Sequence, residues 1–263
     1  MIALDIPAPG GRALAAEFFR AAQPGAPLAV AVHGGAWRGG SPARYRHIGA
    51  YLSEAGISVL SISYRLVREA ADTRFPAQMA DLETAVRFAA DNAGELGIDA
   101  ARIGLIGDSA GAHLAALYAL DAYRDPASPR VKAMVGIYGV YDMIAQFEHD
   151  LVNRTSDQIT EKLLGVSALD DRRPYIDASP MTHVVRRKNA PAFLIGWGTD
   201  DDVVDCTRQS MPFLAALKRT GHVARALPVV GAPHFWIEEP LDQPGSHAGF
   251  AAPRIRTFLL ANL

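Results

Sequence analysis

A single cysteine, Cys206, stands among 263 residues. A lone thiol excludes an internal disulfide framework and a cysteine-based zinc cluster. No apolar run approaches the roughly 18 residues that a membrane-spanning helix requires. Neither sign of charge dominates: 26 lysines and arginines face 28 aspartates and glutamates, for a formal net charge of -2. That balance offers no basic field to nucleic acid and no acidic tail to a cationic partner. Histidine pairs of the H-E-x-x-H kind, G-x-G-x-x-G and the Walker pattern are all missing, so no metal and no cofactor is expected. Met1 to Pro7 carries an early aspartate and proline and no basic stretch, and does not read as a secretory signal. The expectation is a soluble, cytoplasmic protein with a small-molecule substrate. What remains is 49% hydrophobic and 21% charged, enough apolar material for one large α/β unit with a real core.

Short, continuously apolar runs alternate with helical patterns. Leu28 to Val32, Ile57 to Ser63, Arg102 to Ile106, Val131 to Tyr138 and Ala192 to Gly198 read as strands buried on both faces. Val223 to Val229 reads as an edge strand. Between them, Tyr45 to Ala55, Pro76 to Ala93, Ala112 to Leu120, Thr207 to Thr220 and Ala248 to Leu263 carry helical spacing. The opening twenty residues are ambiguous, and their place before the first clear strand favours a single edge strand. Alternation of this kind predicts a mostly parallel sheet with helices on both faces and with functional residues at the carboxyl ends of its strands. Residues 141–188 interrupt the alternation. They contain no strand pattern and one helix-like piece, Ser156 to Leu164, and are expected to cap the site within a single domain of residues 1–263.

One pentapeptide organises the rest. Gly107-Asp108-Ser109-Ala110-Gly111 reads G-x-S-x-G between a strand and a helix, where a sharp turn lifts the serine hydroxyl above the sheet. A hydroxyl is a weak nucleophile. It needs a base within hydrogen-bond reach, and the base needs an acid to orient it, in the chain order serine, acid, histidine. Of the histidines after Ser109, only His234 follows the last strand in a carboxyl-end loop. His113 sits one turn along the serine's own helix as a packing residue. His149 and His183 lie in the 141–188 segment, His222 lies at the wrong end of the sheet, and His247 opens the last helix. The acid falls in Gly198 to Asp205. Spacing from the strand favours Asp201 over Asp202, while Asp205 suits a helix cap. Asp142 reads as a loop cap. Donors for a developing oxyanion come from Ala110 N–H and from His33-Gly34-Gly35-Ala36-Trp37, where Gly34 sets the turn and Gly35 and Ala36 donate. Trp37 and Trp236 are candidate pocket walls.

With these motifs in view, the chain resembles the α/β-hydrolase superfamily, and within it the hormone-sensitive-lipase-type and BD-type carboxylesterases. The resemblance runs from about Leu28 onward. It rests on His33 to Trp37, Ser63-Tyr64-Arg65-Leu66, Phe75-Pro76-Ala77 with Asp81, the Ser109 motif, Ala178-Ser179-Pro180, Gly198 with Asp201, and His234. It implies Ser109 as nucleophile, Asp201 as acid and His234 as base, with Gly35, Ala36 and Ala110 as the oxyanion hole. Two departures stand out. Ala36 replaces the last glycine of H-G-G-G, which makes the loop H-G-G-x-W, as in kynurenine formamidase-like hydrolases. Trp197 stands where a histidine often precedes the glycine of the acid loop. The expected activity is a serine carboxylesterase for small acyl or aryl esters. An arylformamidase is the alternative, and a non-catalytic ligand-binding homologue the third reading. Family analogy allows a monomer or a homodimer.

Overall fold

The computed structural model describes residues 1–263. Its strands are β1 (Ile2–Ala8), β2 (Arg12–Phe19), β3 (Ala26–Val32), β4 (Ser58–Ile62), β5 (Ile98–Asp108), β6 (Ala133–Ile137), β7 (Ala192–Gly198) and β8 (Ala224–Val229). Its helices are α1 (Arg46–Glu54), α2 (Ala77–Asp91), the one-turn α3 (Ala93–Leu96), α4 (Ala110–Ala119), α5 (Met143–Asn153), α6 (Ile159–Leu164), α7 (Arg173–Asp177), α8 (Ser210–Arg219) and α9 (His247–Asn262). The strands form one sheet in the order β1-β2-β4-β3-β5-β6-β7-β8. From β4 to β8 every neighbouring pair is parallel, and only β1–β2 and β2–β4 run antiparallel.

The buried aliphatic runs of β3, β4, β6 and β7 have every residue out of water. Helices therefore cover both faces. Met79, Leu82 and Val86 of α2, the whole of α4, and Phe213 and Leu217 of α8 pack on one side. Ile48 and Leu52 of α1 and Ile255, Phe258 and Leu259 of α9 pack on the other. Helix α4 has all ten residues buried. Its alanines let it lie close to β5 and β6, beside α2. No helix is long and apolar enough to cross a membrane.

Two local readings change. The opening residues form a hairpin of two strands and not one edge strand. Gly10 (φ 78°) and Gly11 (φ 71°) make the reversal, which glycine alone adopts without strain. Leu14, Ala16 and Phe18 alternate inward along β2, a period-2 signal that the neighbouring alanines and glutamate disguise as helical propensity. In residues 141–188 a second helix, α5, precedes the expected one, opened by Asp142, whose side chain accepts from Ala145 N–H at 3.0 Å.

Candidate active site

All the parallel strands end at one edge of the sheet, and their loops meet there. Ser109 follows β5 on a backbone with φ 50° and ψ -118°, a conformation that strains a non-glycine residue by on the order of 1–3 kcal/mol. The neighbours make the turn achievable. A Cβ on Gly111 would stand 1.9 Å from Val32 O, and one on Gly107 would stand 2.5 Å from Gly111 O. Glycine is thus a steric requirement on either side of the serine.

Three side chains come together across the sheet. His234 Nε2 lies 3.1 Å from Ser109 Oγ, and His234 Nδ1 lies 2.7 Å from Asp201 Oδ2. The side chains of His234 and Asp201 are each 1% exposed. A carboxylate only accepts, so Nδ1 carries the hydrogen and Nε2 turns its lone pair to the Ser109 hydroxyl. Asp201 is fixed in turn: its Oδ1 accepts from Val203 N–H and Val204 N–H, both at 2.9 Å. Asp202 is exposed. Asp205 accepts from Thr207 N–H at 2.8 Å ahead of α8. The other histidines of 141–263 lie elsewhere, His149 beside Asp150, His183 with Asp177 O, His222 with Thr220 and His247 with Glu239.

The loop after β3 is held at three points. Gly34 N–H donates to Asp108 Oδ1 at 2.9 Å, Tyr64 Oη donates to His33 O at 2.9 Å, and Trp37 Nε1 donates to His113 Nδ1 at 3.2 Å. These bonds let the chain run through three consecutive positive φ values, Gly35 at 119°, Ala36 at 52° and Trp37 at 58°. The N–H groups of Gly35 and Ala36 then donate to no backbone carbonyl. Ala110 opens α4, so its N–H has no partner within the helix and sits at the positive end of the helix dipole.

His113 also donates Nε2–H to Ala178 O at 2.8 Å. One neutral imidazole therefore joins the Trp37 loop, α4 and the 141–188 segment. Burial lowers its pKa to about 4, which keeps the ring uncharged at neutral pH. Burial likewise lowers His33 to about 4; its ring stacks on Tyr64 at 4.4 Å. Asp108 is fully buried, and burial raises its pKa while Arg44, 3.6 Å away, opposes that rise. The Tyr138 ring lies 4.4 Å from the His234 ring.

Ser109 and His234 open onto a cavity of about 210 Å³. Gly35, Ala36, Trp37, Ser109, Ala110 and His234 line it, together with Val140, Val203, Val204 and Phe235, and with Arg154 and Ile159 from the 141–188 segment. Trp236 does not line it, contrary to the sequence expectation. It is buried among the α1 and α9 side chains and meets the Tyr138 ring edge-on at 5.4 Å. The left-handed backbone of Phe235 (φ 67°) turns the two adjacent aromatic residues to different sides, and Phe235 takes the pocket position. Trp197 is also outside the lining and belongs to the core. Sequence reasoning passed over Asp108, Arg44, Tyr138 and Arg154. Only Asp108 carried a signal, as an acidic residue inside a motif next to a buried strand.

A hydroxyl bonded to an oriented neutral imidazole, with free N–H groups beside it, can attack a carbonyl and hold the resulting oxyanion. Several proteins similar to this chain carry esterase names. Esterase LipC of Mycobacterium tuberculosis is 33% identical over 237 residues, covering 85% of this chain and 57% of LipC. Ethyl acetate hydrolase of Pseudomonas putida is 37% identical over 139 residues, covering 50% of this chain and 42% of that protein. The chain spans about half the length of curated relatives such as LipC, LipQ and LipM. Among solved structures, a hyperthermophilic esterase from Pyrobaculum calidifontis superposes with a TM-score of 0.80 at 27% identity, covering 100% of this chain and 86% of that one. The sheet order and helix placement are those of the α/β-hydrolase fold. The family model of BD-FAE matches residues 19–217, and the chain belongs to that family.

Proposed function

We propose that the chain is a serine carboxylesterase for small acyl or aryl esters, with Ser109 as nucleophile, His234 as base and Asp201 as orienting acid. The continuous Asp201–His234–Ser109 hydrogen-bond path carries this reading. Substrate enters with its carbonyl carbon beside Ser109 Oγ. As the C–O bond forms, His234 Nε2 takes the hydroxyl proton, and Asp201 stabilises the imidazolium through Nδ1–H. Negative charge moves to the carbonyl oxygen, where the N–H groups of Gly35, Ala36 and Ala110 converge to receive it. Collapse of the tetrahedral intermediate breaks the ester bond, and His234 returns its proton to the departing alcohol. Water then repeats the sequence on the acyl-enzyme. The small apolar cavity supports a short acyl group, in keeping with the ethyl acetate hydrolase of Pseudomonas putida that the chain resembles. Residues 141–188 act as a cap, contributing Arg154 and Ile159 to the wall.

Hydrolysis of p-nitrophenyl acetate and butyrate tests the reading. Ser109→Ala is expected to lower kcat by about 10⁴-fold or more while leaving the circular dichroism spectrum unchanged. A fluorophosphonate probe is expected to label Ser109 of the native chain. Retained turnover in Ser109→Ala overturns the assignment, and an unlabelled Ser109 favours the non-catalytic homologue. The Trp37 loop, held by His113, supports one second reading, an arylformamidase opening an N-formyl amide with the same groups. A kcat/KM for an N-formyl arylamine far above that for the p-nitrophenyl esters would select it.

A further inference from the structure

A second cavity, of about 460 Å³, lies beside the first and shares Ala36, Arg38 and Ile159 with it. A substrate whose carbonyl sits at Ser109 can therefore extend one arm past Ala36 into this space. The charge there is one-sided. Arg38, Arg68, Arg74 and Lys162 line it against one carboxylate, Glu69. Asp157 answers two of the four cations: it binds Arg38 through both oxygens and Lys162 Nζ at 2.6 Å. Arg68 and Arg74 make no ion pair. The Arg68 guanidinium reaches only carbonyls, Arg38 O and Val67 O, both at 3.1 Å. Arg74 lies against Gly165, where a Cβ would stand 2.5 Å from its Nη1. Arg154, in the wall of the first cavity, has no ion pair either. In a chain of net charge -2, this excess of cations lies at the opening that adjoins Ser109.

Three guanidinium groups without carboxylate partners give a neutral ester no directed contact. To a carboxylate or phosphate they offer a forked pair of donors and a charge that its neighbours do not cancel. The shared wall at Ala36 fixes the distance between the two sites, so an anion held at Arg68 and Arg74 would position the carbonyl at Ser109. We propose that the second cavity is an anion subsite, and that the ester substrate carries a carboxylate or phosphate on the arm directed toward Arg68 and Arg74. This rests on the carboxylesterase reading and adds to it the class of ester.

Matched substrate pairs test it. On the acyl side, p-nitrophenyl hydrogen adipate is compared with p-nitrophenyl hexanoate. On the alcohol side, 4-acetoxybenzoate and 4-acetoxyphenyl phosphate are compared with phenyl acetate, each corrected for its rate of alkaline hydrolysis. At least one anionic ester is expected to exceed its neutral partner in kcat/KM by about tenfold at low salt. That advantage is expected to shrink in 1 M NaCl, where the Debye length falls to about 3 Å. The double variant Arg68→Ala/Arg74→Ala is expected to bring the ratio close to one. Should that variant not fold, Arg68→Ala alone, at an exposed side chain, is expected to lower the ratio by a smaller factor. The carboxylate and phosphate arms identify the anion. Equal or lower kcat/KM for every anionic ester, or a ratio unchanged by the substitutions, overturns the subsite while leaving the esterase reading intact. Hydrolysis of no ester of either kind overturns both.

Discussion

The floor of the pocket and its rim are built in different ways. Beneath the floor, Asp108 is 0% exposed and accepts from Gly34 N–H, while His113 and His33 are buried neutral rings. At the rim, Arg38, Asp157 and Lys162 pair with side chains 40%, 31% and 53% exposed. The contacts beneath the floor are buried hydrogen bonds and a largely buried ion pair, Asp108–Arg44, little screened by salt and costly to break singly. Rim contacts are screened ion pairs worth little in stability. The division matches what each part must do. On the proposed reading, the oxyanion donors and Ser109 require fixed positions, whereas the rim needs only to present charge to a passing substrate.

Removing Asp108 attacks that contrast most directly. Asp108→Ala leaves Arg44 half-buried without its closest buried partner and frees Gly34 N–H. It is expected to lower stability by about 3–5 kcal/mol, read by urea unfolding, and to reduce kcat at temperatures where the chain remains folded. Asp108→Asn, which keeps the acceptor for Gly34, is expected to recover most of the kcat and less of the stability. A rim-sized effect for Asp108→Ala would erase the distinction.

Acidification probes the floor through its imidazoles. His33 and His113 have pKa values lowered to about 4 in the folded chain, against about 6.5 unfolded. The unfolded state therefore binds protons first as pH falls. Stability is complete above pH 6.5 and declines toward pH 4, by about 2 kcal/mol per histidine between pH 7 and pH 5. Asp108, raised by burial, acts in the opposite sense and offsets part of this loss. NMR titration checks the cause directly: neither ring is expected to titrate between pH 7 and pH 5. At the rim, Asp157→Asn is expected to change stability by less than about 1 kcal/mol. Its larger effect should be on substrate choice, since it releases Arg38 and Lys162.

The sequence was most readable where one physical signal acted alone. The continuous apolar run 192–198 became β7 with the expected limits, because only a strand buried on both faces accepts such a run. His234 could be singled out because, of the two histidines after the last strand, it alone lies in the loop at the strand's carboxyl end, while His247 opens the final helix. Competing signals were harder. Gly10 and Gly11 marked a hairpin, but alanine-rich β2 also fits a helix. Among the clustered aspartates, side-chain burial depends on the turn that lets Asp201 accept from Val203 and Val204, which spacing suggests but does not contain. Phe235 and Trp236 were inseparable as letters; a positive φ at Phe235 puts one in the pocket and the other in the core. Asp108 was overlooked because motif spacing treats it as filler, and its bond reaches back 74 residues.

The path from Ser109 to His234 spans 125 residues of chain, which gives the site an order in time as well as in space. During synthesis at about 5–20 residues per second, the elbow leaves the ribosome some 6–25 s before the imidazole, and the Trp37 loop earlier still. Throughout that interval the nascent chain carries a serine without a base beside it. The Asp201–His234–Ser109 path is complete only when β7 and β8 have joined the sheet and brought Asp201 and His234 with them, so the proposed activity would itself record that the sheet has closed.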